Sequence, residues 1–117
     1  MLTLSEATDY YFYLYNTDMR KGFDSLCGIV SSQMQFNPLS NDVYIFINRR
    51  RTQIKLLRWE GDGFSVYYKR LEQGTYEMPK GDENECCVNI GINHLEKIFQ
   101  GVSVHQNRQR KRYQHQR

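Results

Sequence analysis

Proline, cysteine and long apolar runs are all scarce in this sequence. Two prolines among 117 residues argue against a long disordered scaffold. No apolar run approaches the roughly 20 residues that span a bilayer. The first ten residues also lack the basic head and apolar stretch of a signal peptide. We therefore expect a cytoplasmic protein that makes no contact with a membrane.

Residue groups that carry chemistry are scarce as well. The three cysteines have no C-x-x-C spacing, and the three histidines do not complete a four-ligand zinc site with them. The sequence contains neither a P-loop nor G-x-S-x-G. Its aspartates are scattered, whereas a metal-dependent nuclease needs clustered carboxylates. We predict a protein that is not an enzyme and that needs no cofactor or metal.

Positive charge is concentrated at the C-terminal end. Residues 107–117 contain five of the 16 Lys and Arg residues and no acid, and the remaining residues contain 11 basic and 13 acidic groups. We predict a single domain over residues 1–102 and a flexible basic tail over residues 103–117. Such a tail either binds nucleic acid or only solubilises the chain. Its candidate binding residues are Arg108, Arg110, Lys111 and Arg112.

The first third of the chain predicts a strand followed by a helix. YYFYLY (10–15) is rich in aromatic strand formers and should be paired or buried. Apolar residues then recur at helical spacing from Met19 to Met34, which predicts an amphipathic helix. Thr17 or Asp18 is the expected N-cap of this helix.

Three consecutive segments predict an antiparallel meander: DVYIFIN (42–48), QIKLLRWE (53–60) and FSVYYKR (64–70). Pairing Asn48 with Gln53 places alternate residues on shared faces. With a three-residue second turn, the face that forms a core for the helix contains Val43, Ile45, Ile47, Ile54, Leu56, Phe64, Val66 and Tyr68. The opposite face then contains Tyr44, Phe46, Lys55, Leu57, Trp59, Tyr67 and Lys69. A two-residue turn would shift the third strand and change this assignment.

The rest of the chain predicts one more strand and a short helix. CCVNI (86–90) is the strand. NHLEKIFQG (93–101) is the helix, with Asn93 and Glu96 as a capping box and Gly101 past its end. The predicted fold is therefore α+β. It contains a small antiparallel sheet, made of the meander and the N-terminal strand, packed with one amphipathic helix and a short C-terminal helix.

The segment TDMRKGF is the first candidate binding site. Arg20 and Lys21 lie at the predicted helix start, where the macrodipole is positive and disfavours cations. A helix start flanked by cations suits a phosphate or carboxylate. The alternative is structural: Asp18 caps the helix and offsets both charges.

The turn between the first two meander strands is the second candidate. It places Arg49, Arg50 and Arg51 side by side. Arginine pairs bidentately with phosphate and with guanine edges, so we expect these residues to meet nucleic acid. The alternative is an ordinary charged turn without a function.

The predicted meander face with Lys55, Trp59, Tyr67 and Lys69 is the third candidate. Aromatic residues that stack on bases, next to cations that hold phosphates, are one route to nucleic-acid binding. The alternative is that another element covers Trp59 and Tyr67, which would then be core residues.

These segments together resemble a known family. TDMRKGFDSL, PLSNDVYIFINRRRTQIKLLRWEGDGFSVYYKRLEQGTYEMP and INHLEKIFQG are similar to the accessory protein TnpB of the insertion-sequence sixty-six family of bacterial transposable elements. The resemblance covers residues 10–102, and Ser25 departs from it by replacing a usual Gly. The family's motif residues correspond here to Asp18, Met19, Arg20, Lys21, Gly22, Asn48, Arg49, Arg50, Arg51, Lys55, Leu57, Trp59, Tyr67, Tyr68, Lys69 and Arg70.

The resemblance implies a part in DNA transposition. Elements of this family also encode a DDE-type transposase and a second small accessory protein, and the resemblance implies both as partners. We expect a non-catalytic accessory factor that binds DNA at the ends of the insertion sequence through its Arg, Lys and aromatic residues. The alternative is an adaptor that binds the transposase or its partner subunit without contacting DNA.

Overall fold

The computed structural model describes residues 8–101, which form five strands and two helices. The order along the chain is β1 Tyr10–Tyr13, α1 Phe23–Ser32, β2 Val43–Ile47, β3 Gln53–Trp59, β4 Phe64–Arg70, β5 Cys87–Ile90 and α2 Ile92–Gln100. Each predicted strand and helix is present, and the predicted α+β class is confirmed.

The five strands form one sheet in the order β4-β3-β2-β1-β5. The meander of β2, β3 and β4 is antiparallel, as predicted, and β1 is antiparallel to β5. Strand β1 runs parallel to β2, with Tyr10 opposite Val43 and Phe12 opposite Ile45, so the sheet is mixed and the expectation that it is antiparallel throughout is wrong. A parallel pair needs a long crossover, and the segment with α1 provides it.

Both faces are covered at the centre of the sheet, which explains why every residue of β2 is buried, whereas the edge strand β4 is partly exposed. One face packs with α2, through Leu95 and Ile98. The other face packs with α1, through Leu26 and Val30. The expectation that α1 covers the face with Val43, Ile45, Ile47, Ile54 and Leu56 is therefore wrong. That face packs with α2, whereas α1 lies over Tyr44, Phe46 and Leu57.

The register of β2 and β3 is the predicted one, with Ile47 opposite Ile54. The turn from β3 to β4 is different. Trp59 pairs with Phe64, and the Glu60 N–H donates to the Gly63 carbonyl at 2.8 Å, so only two residues form the tip. Gly61 has φ +93°, the conformation that a type II′ hairpin turn requires at its first position.

This shorter turn exchanges the two side-chain faces of β4 relative to the prediction. Phe64, Val66 and Tyr68 lie opposite Trp59, Leu57 and Lys55 in the ladder. Because paired residues share a face of the sheet, these three belong to the face covered by α1. Tyr67 and Lys69 lie opposite Leu56 and Ile54, on the face covered by α2.

Helix α1 begins four residues later than predicted. Its N-cap is Gly22, and no side chain caps it, so the expectation that Thr17 or Asp18 does so is wrong. Gly22 is thus outside the helix, where a glycine is tolerated well. Arg20 and Lys21 precede the helix and do not occupy its first turn.

Helix α2 begins at Ile92 after the N-cap Gly91, which also makes no side-chain cap. Asn93 therefore lies inside the first turn, and the predicted capping box with Glu96 is wrong. Gly101 occupies the C-cap, and its N–H donates to the Lys97 carbonyl at 2.6 Å. Within residues 8–101, neither helix is long and apolar enough to cross a membrane.

Candidate functional site

A groove of about 610 Å³ lies beside the β2–β3 turn. Two segments that are far apart in the sequence form its walls, residues 16–20 and residues 48–50, and Gln53 and Tyr68 complete the lining. Two of the three candidate sites from the sequence, the segment around Arg20 and the arginine turn, therefore meet in one place. We call this feature the basic groove.

Main-chain hydrogen bonds attach the first wall to the sheet. The Thr17 N–H donates to the Ile47 carbonyl at 2.9 Å. The Lys55 ammonium donates to the carbonyls of Met19 at 2.8 Å and Lys21 at 2.9 Å. Lys55 was a candidate phosphate contact, but its charged group binds the protein's own backbone. It therefore positions the wall.

Asp18 and Arg20 form an ion pair on this wall. The carboxylate accepts from the Arg20 main-chain N–H at 2.9 Å and from the guanidinium at 2.7 to 3.1 Å. These hydrogen bonds, from the side chain first and the main chain second, lower the pKa of Asp18 to about 2. The Arg20 side chain is 91% exposed, so the pair faces solvent. Arg20 therefore brings a partly offset charge to the groove, and Lys21 is not part of the lining.

The second wall is a turn that is held by the side chain of Asn48. Its Oδ1 accepts from the N–H groups of Thr52 and Gln53, both at 2.9 Å, and its Nδ2 donates to the Thr52 hydroxyl at 3.2 Å. The Arg51 N–H donates to the Asn48 carbonyl at 3.0 Å. These bonds fix the turn, so the arginines project from a rigid support.

The three arginines of the turn are not equivalent. Arg49 and Arg50 are exposed and line the groove. Arg51 does not line it, and its backbone has φ +60°, an uncommon conformation for a residue with a side chain. Its carbonyl accepts from the Tyr76 N–H at 2.8 Å. No acid among residues 8–101 forms an ion pair with any of the three.

Tyr68 and Gln53 line the groove but were not among the candidate binding residues, and the expectation that Tyr68 lies on the core face with Val43 and Ile45 is wrong. The Tyr68 hydroxyl donates to Gln53 Oε1 at 2.5 Å, and the Lys55 ammonium lies 5.3 Å from the centre of the Tyr68 ring. The residue is still 49% exposed. The signal that points to Tyr68 is the Gly-Asp tip of the β3–β4 turn. Read as a two-residue turn, it places Tyr68 beside Lys55.

The third candidate, a shared face of Lys55, Trp59, Tyr67 and Lys69, does not exist as predicted. Trp59 lies at the far end of β3, half-buried, with its ring 5.0 Å from that of Phe64. Tyr67 is on the opposite face, 6.2 Å from the ring of Phe99 in α2. The physical reason is the two-residue turn, which moves Tyr67 and Lys69 away from Lys55 and Trp59.

The remaining candidates lie outside the groove. Arg70 forms an exposed ion pair with Glu72 at 3.5 Å. Arg108, Arg110, Lys111 and Arg112 lie outside the described residues. Within residues 8–101, no group of three or more His, Cys, Asp or Glu residues is placed to hold a metal ion.

Comparison with known proteins places this chain among transposon-encoded proteins. The model of the family described as IS66 Orf2 like protein matches residues 8–109. Two similar relatives come from Sinorhizobium fredii (strain NBRC 101917 / NGR234). The uncharacterized protein y4hO is 33% identical over 87 residues, 74% of each chain, and the uncharacterized protein y4jC is 29% identical over 62 residues, 53% of each. No solved structure matches the chain significantly. Because the family model spans most of the sequence, this chain belongs to the IS66 Orf2-like family of insertion-sequence accessory proteins.

Proposed function

We propose that this protein is a non-catalytic accessory factor that binds DNA at the ends of an insertion sequence, in the bacterial cytoplasm. Its partners are this DNA, the DDE-type transposase and the second small protein of the element. The observation that carries the proposal is the position of Arg49 and Arg50. Both line an open groove from a rigid turn, and no acid among the described residues pairs with them.

A comparison of interaction energies favours an anionic partner for this turn. Two unit charges about 7 Å apart in water repel by roughly 0.6 kcal/mol, so adjacent arginines destabilise the free protein only slightly. A hydrogen bond to a charged group contributes about 1.5–3 kcal/mol. Phosphate accepts bidentate pairs from guanidinium, which adds geometric selectivity. One phosphate contact for each arginine therefore outweighs their mutual repulsion.

The rest of the groove fits this role. The wall at residues 16–20 carries Arg20, whose guanidinium is bound to Asp18 yet exposed to solvent. Lys55 holds this wall in place through the carbonyls of Met19 and Lys21. Pre-positioned walls reduce the entropy that is lost when a ligand binds.

The experiment is a gel-shift assay with the terminal DNA of an insertion sequence, performed with and without the transposase. All proteins carry Arg108→Gln, Arg110→Gln, Lys111→Gln and Arg112→Gln, which removes four of the five positive charges of the tail and so reduces DNA binding by the tail itself. The proposal predicts a shifted band without the transposase, and its loss when Arg49 and Arg50 are replaced by Ala.

A different pattern supports the adaptor function. If the protein never shifts DNA by itself but binds the transposase, and the double replacement abolishes that binding, the arginines meet carboxylates on a protein. The DNA-binding proposal is then wrong.

A further inference from the structure

We propose that the basic groove binds an unpaired nucleotide, so that the DNA it prefers has a single-stranded segment or a frayed end. The base would lie on the ring of Tyr68, and its phosphate would lie at Arg49 and Arg50. This inference rests on the proposed DNA-binding function and names the form of DNA that the site takes.

The first argument is the aromatic ring in the groove. Tyr68 is 49% exposed, although it is held in position by its hydroxyl bond to Gln53 and by the Lys55 ammonium near its ring. A fixed and exposed ring next to arginines is the arrangement that single-strand binding proteins use. In an intact duplex, the faces of the bases are covered by their neighbours, and only the base edges are accessible in the grooves. A ring in this position therefore favours a base that has left the stack.

The second argument is the size of the groove. The groove is open to solvent, and its volume of about 610 Å³ is large enough to accommodate one nucleotide. A duplex that touched the arginines would leave Tyr68 without a stacking partner, because its bases are stacked on one another.

The third argument is the set of polar groups around the ring. Gln53 uses its Oε1 to accept from Tyr68, which leaves its Nε2 as a donor for a base edge. Thr17 also lines the groove, is only 3% exposed, and its hydroxyl has no hydrogen-bond partner among residues 8–101. The groove therefore contains the arginines for the phosphate and the Gln53 amide for a base edge.

The test compares three fluorescent DNA probes by anisotropy: a blunt duplex, the same duplex with a short single-stranded overhang, and the single strand. The protein is the full chain with Arg108, Arg110, Lys111 and Arg112, four of the five basic residues of the tail, replaced by Gln. One base stacked on an aromatic side chain increases affinity by about 5- to 150-fold. We expect the overhang and the single strand to bind at least about fivefold more tightly than the blunt duplex.

Neighbouring tyrosines provide the matched variants. Tyr68→Leu should abolish the preference for unpaired DNA, whereas Tyr67→Leu, on the opposite face of the same strand, should retain it. Tyr68→Phe keeps the ring and loses only the hydroxyl bond to Gln53, so its preference should stay within about threefold of that of the parent. Thermal melting checks that each variant is folded.

The outcomes separate this inference from the proposed function. Equal binding of the blunt duplex and the overhang contradicts the inference and leaves DNA binding intact. A preference that survives in folded Tyr68→Leu, or that is lost in Tyr68→Phe, also contradicts it. If no probe binds the parent protein, both proposals are wrong.

Discussion

The two turns at opposite ends of strand β3 differ in charge and in construction. The β2–β3 turn contains three arginines and no acid, whereas the β3–β4 turn contains Glu60 and Asp62 and no base. Strand β3 has seven residues, so it separates the two turns by about 20 Å. Strand β3 therefore has a basic end and an acidic end. An approaching polyanion is attracted to the first and repelled by the second.

The basic end also has more support from distant parts of the chain. The Tyr76 N–H donates to the Arg51 carbonyl, and Lys55 binds the carbonyls of Met19 and Lys21. Among residues 8–101, the hydrogen bonds that close the acidic turn are local, such as the 2.7 Å bond from the Ser65 hydroxyl to Glu60. The difference indicates that the fold holds the basic end in a defined shape, as a binding site requires.

The largest effect is expected when the support of the basic end is removed. Lys55→Met keeps the apolar stem of the side chain but loses two charged hydrogen bonds to carbonyls, so the free energy of unfolding should fall by about 2–3 kcal/mol. Affinity for DNA should also fall, because residues 16–20 lose their anchor. Urea denaturation measures the first effect, and anisotropy measures the second.

Lys69→Met is the matched control for Lys55→Met. Lys69 is exposed on β4, so its replacement should change stability by less than about 0.5 kcal/mol. Equal losses in the two variants would show that the ammonium of Lys55 does not support the groove wall.

A smaller loss of stability, without a loss of binding, is expected at the opposite end of β3. Trp59 is half-buried against Phe64, so Trp59→Ala should cost about 2 kcal/mol, less than the 3–5 kcal/mol of a fully buried aromatic residue. Its affinity for DNA should equal that of the parent. Reduced affinity with unchanged melting would place Trp59 in the binding site and remove the contrast between the two ends.

Arg51 allows a sharper test within the basic turn. Its left-handed backbone costs a residue with a side chain about 1–2 kcal/mol, and glycine adopts it freely at some cost in unfolded-state entropy. Arg51→Gly should therefore raise the free energy of unfolding by up to about 1 kcal/mol. Because Arg51 does not line the groove, affinity should change much less than in Arg49→Ala. Equal losses of affinity would show that the whole turn, and not the groove, meets the ligand.

The ion pair on the first wall predicts the smallest effects. Asp18→Asn keeps an acceptor for the Arg20 N–H but releases the guanidinium. Affinity for DNA should rise severalfold at low salt, and the slope of log affinity against log salt should steepen by up to about 0.9. A weaker complex would mean that the Asp18 carboxylate itself contributes to binding.

The same pair gives a dependence of stability on pH. Folding lowers the pKa of Asp18 from 3.8 to about 2, so its contribution is fully present above the ordinary pKa and is lost as the pH falls toward 2. The parent protein should therefore lose more stability than Asp18→Asn between these two values. If the melting temperatures of the two proteins fell by the same amount over this pH range, the ion pair would not contribute to stability.

Local patterns predicted much of the fold but not the assembly of the site. The alternation in β2 and β3, with the short turn after Asn48, was enough to predict the pairing of Ile47 with Ile54. The prediction for the β3–β4 turn was wrong because Gly-Asp-Gly allows a two- or a three-residue tip. A shift of one residue moves every side chain of the strand to the opposite face of the sheet. Because of this error, Tyr68 was assigned to the core face, and Trp59 was grouped with Tyr67 and Lys69 on one face.

The meeting of residues 16–20 with residues 48–50 could not be predicted from local patterns. It depends on the parallel pairing of β1 with β2 and on Lys55 reaching carbonyls more than thirty positions away. Because every residue has a main-chain carbonyl, the sequence does not indicate which carbonyls Lys55 binds. Both segments are positively charged and both contain motif residues of the family, but neither signal indicates that they are adjacent in the fold.

The most direct test of the central claim is the salt dependence of DNA binding at the two arginines of the groove. Arg49→Ala combined with Arg50→Ala is compared with Lys80→Ala combined with Lys97→Ala, which removes the same charge from exposed sites outside the groove lining. All proteins carry the four tail replacements. The first pair should reduce affinity by about 100-fold and flatten the slope of log affinity against log salt by up to about 1.8, while the second pair leaves the slope unchanged. Equal slopes in the two double variants would contradict the claim that Arg49 and Arg50 bind phosphate.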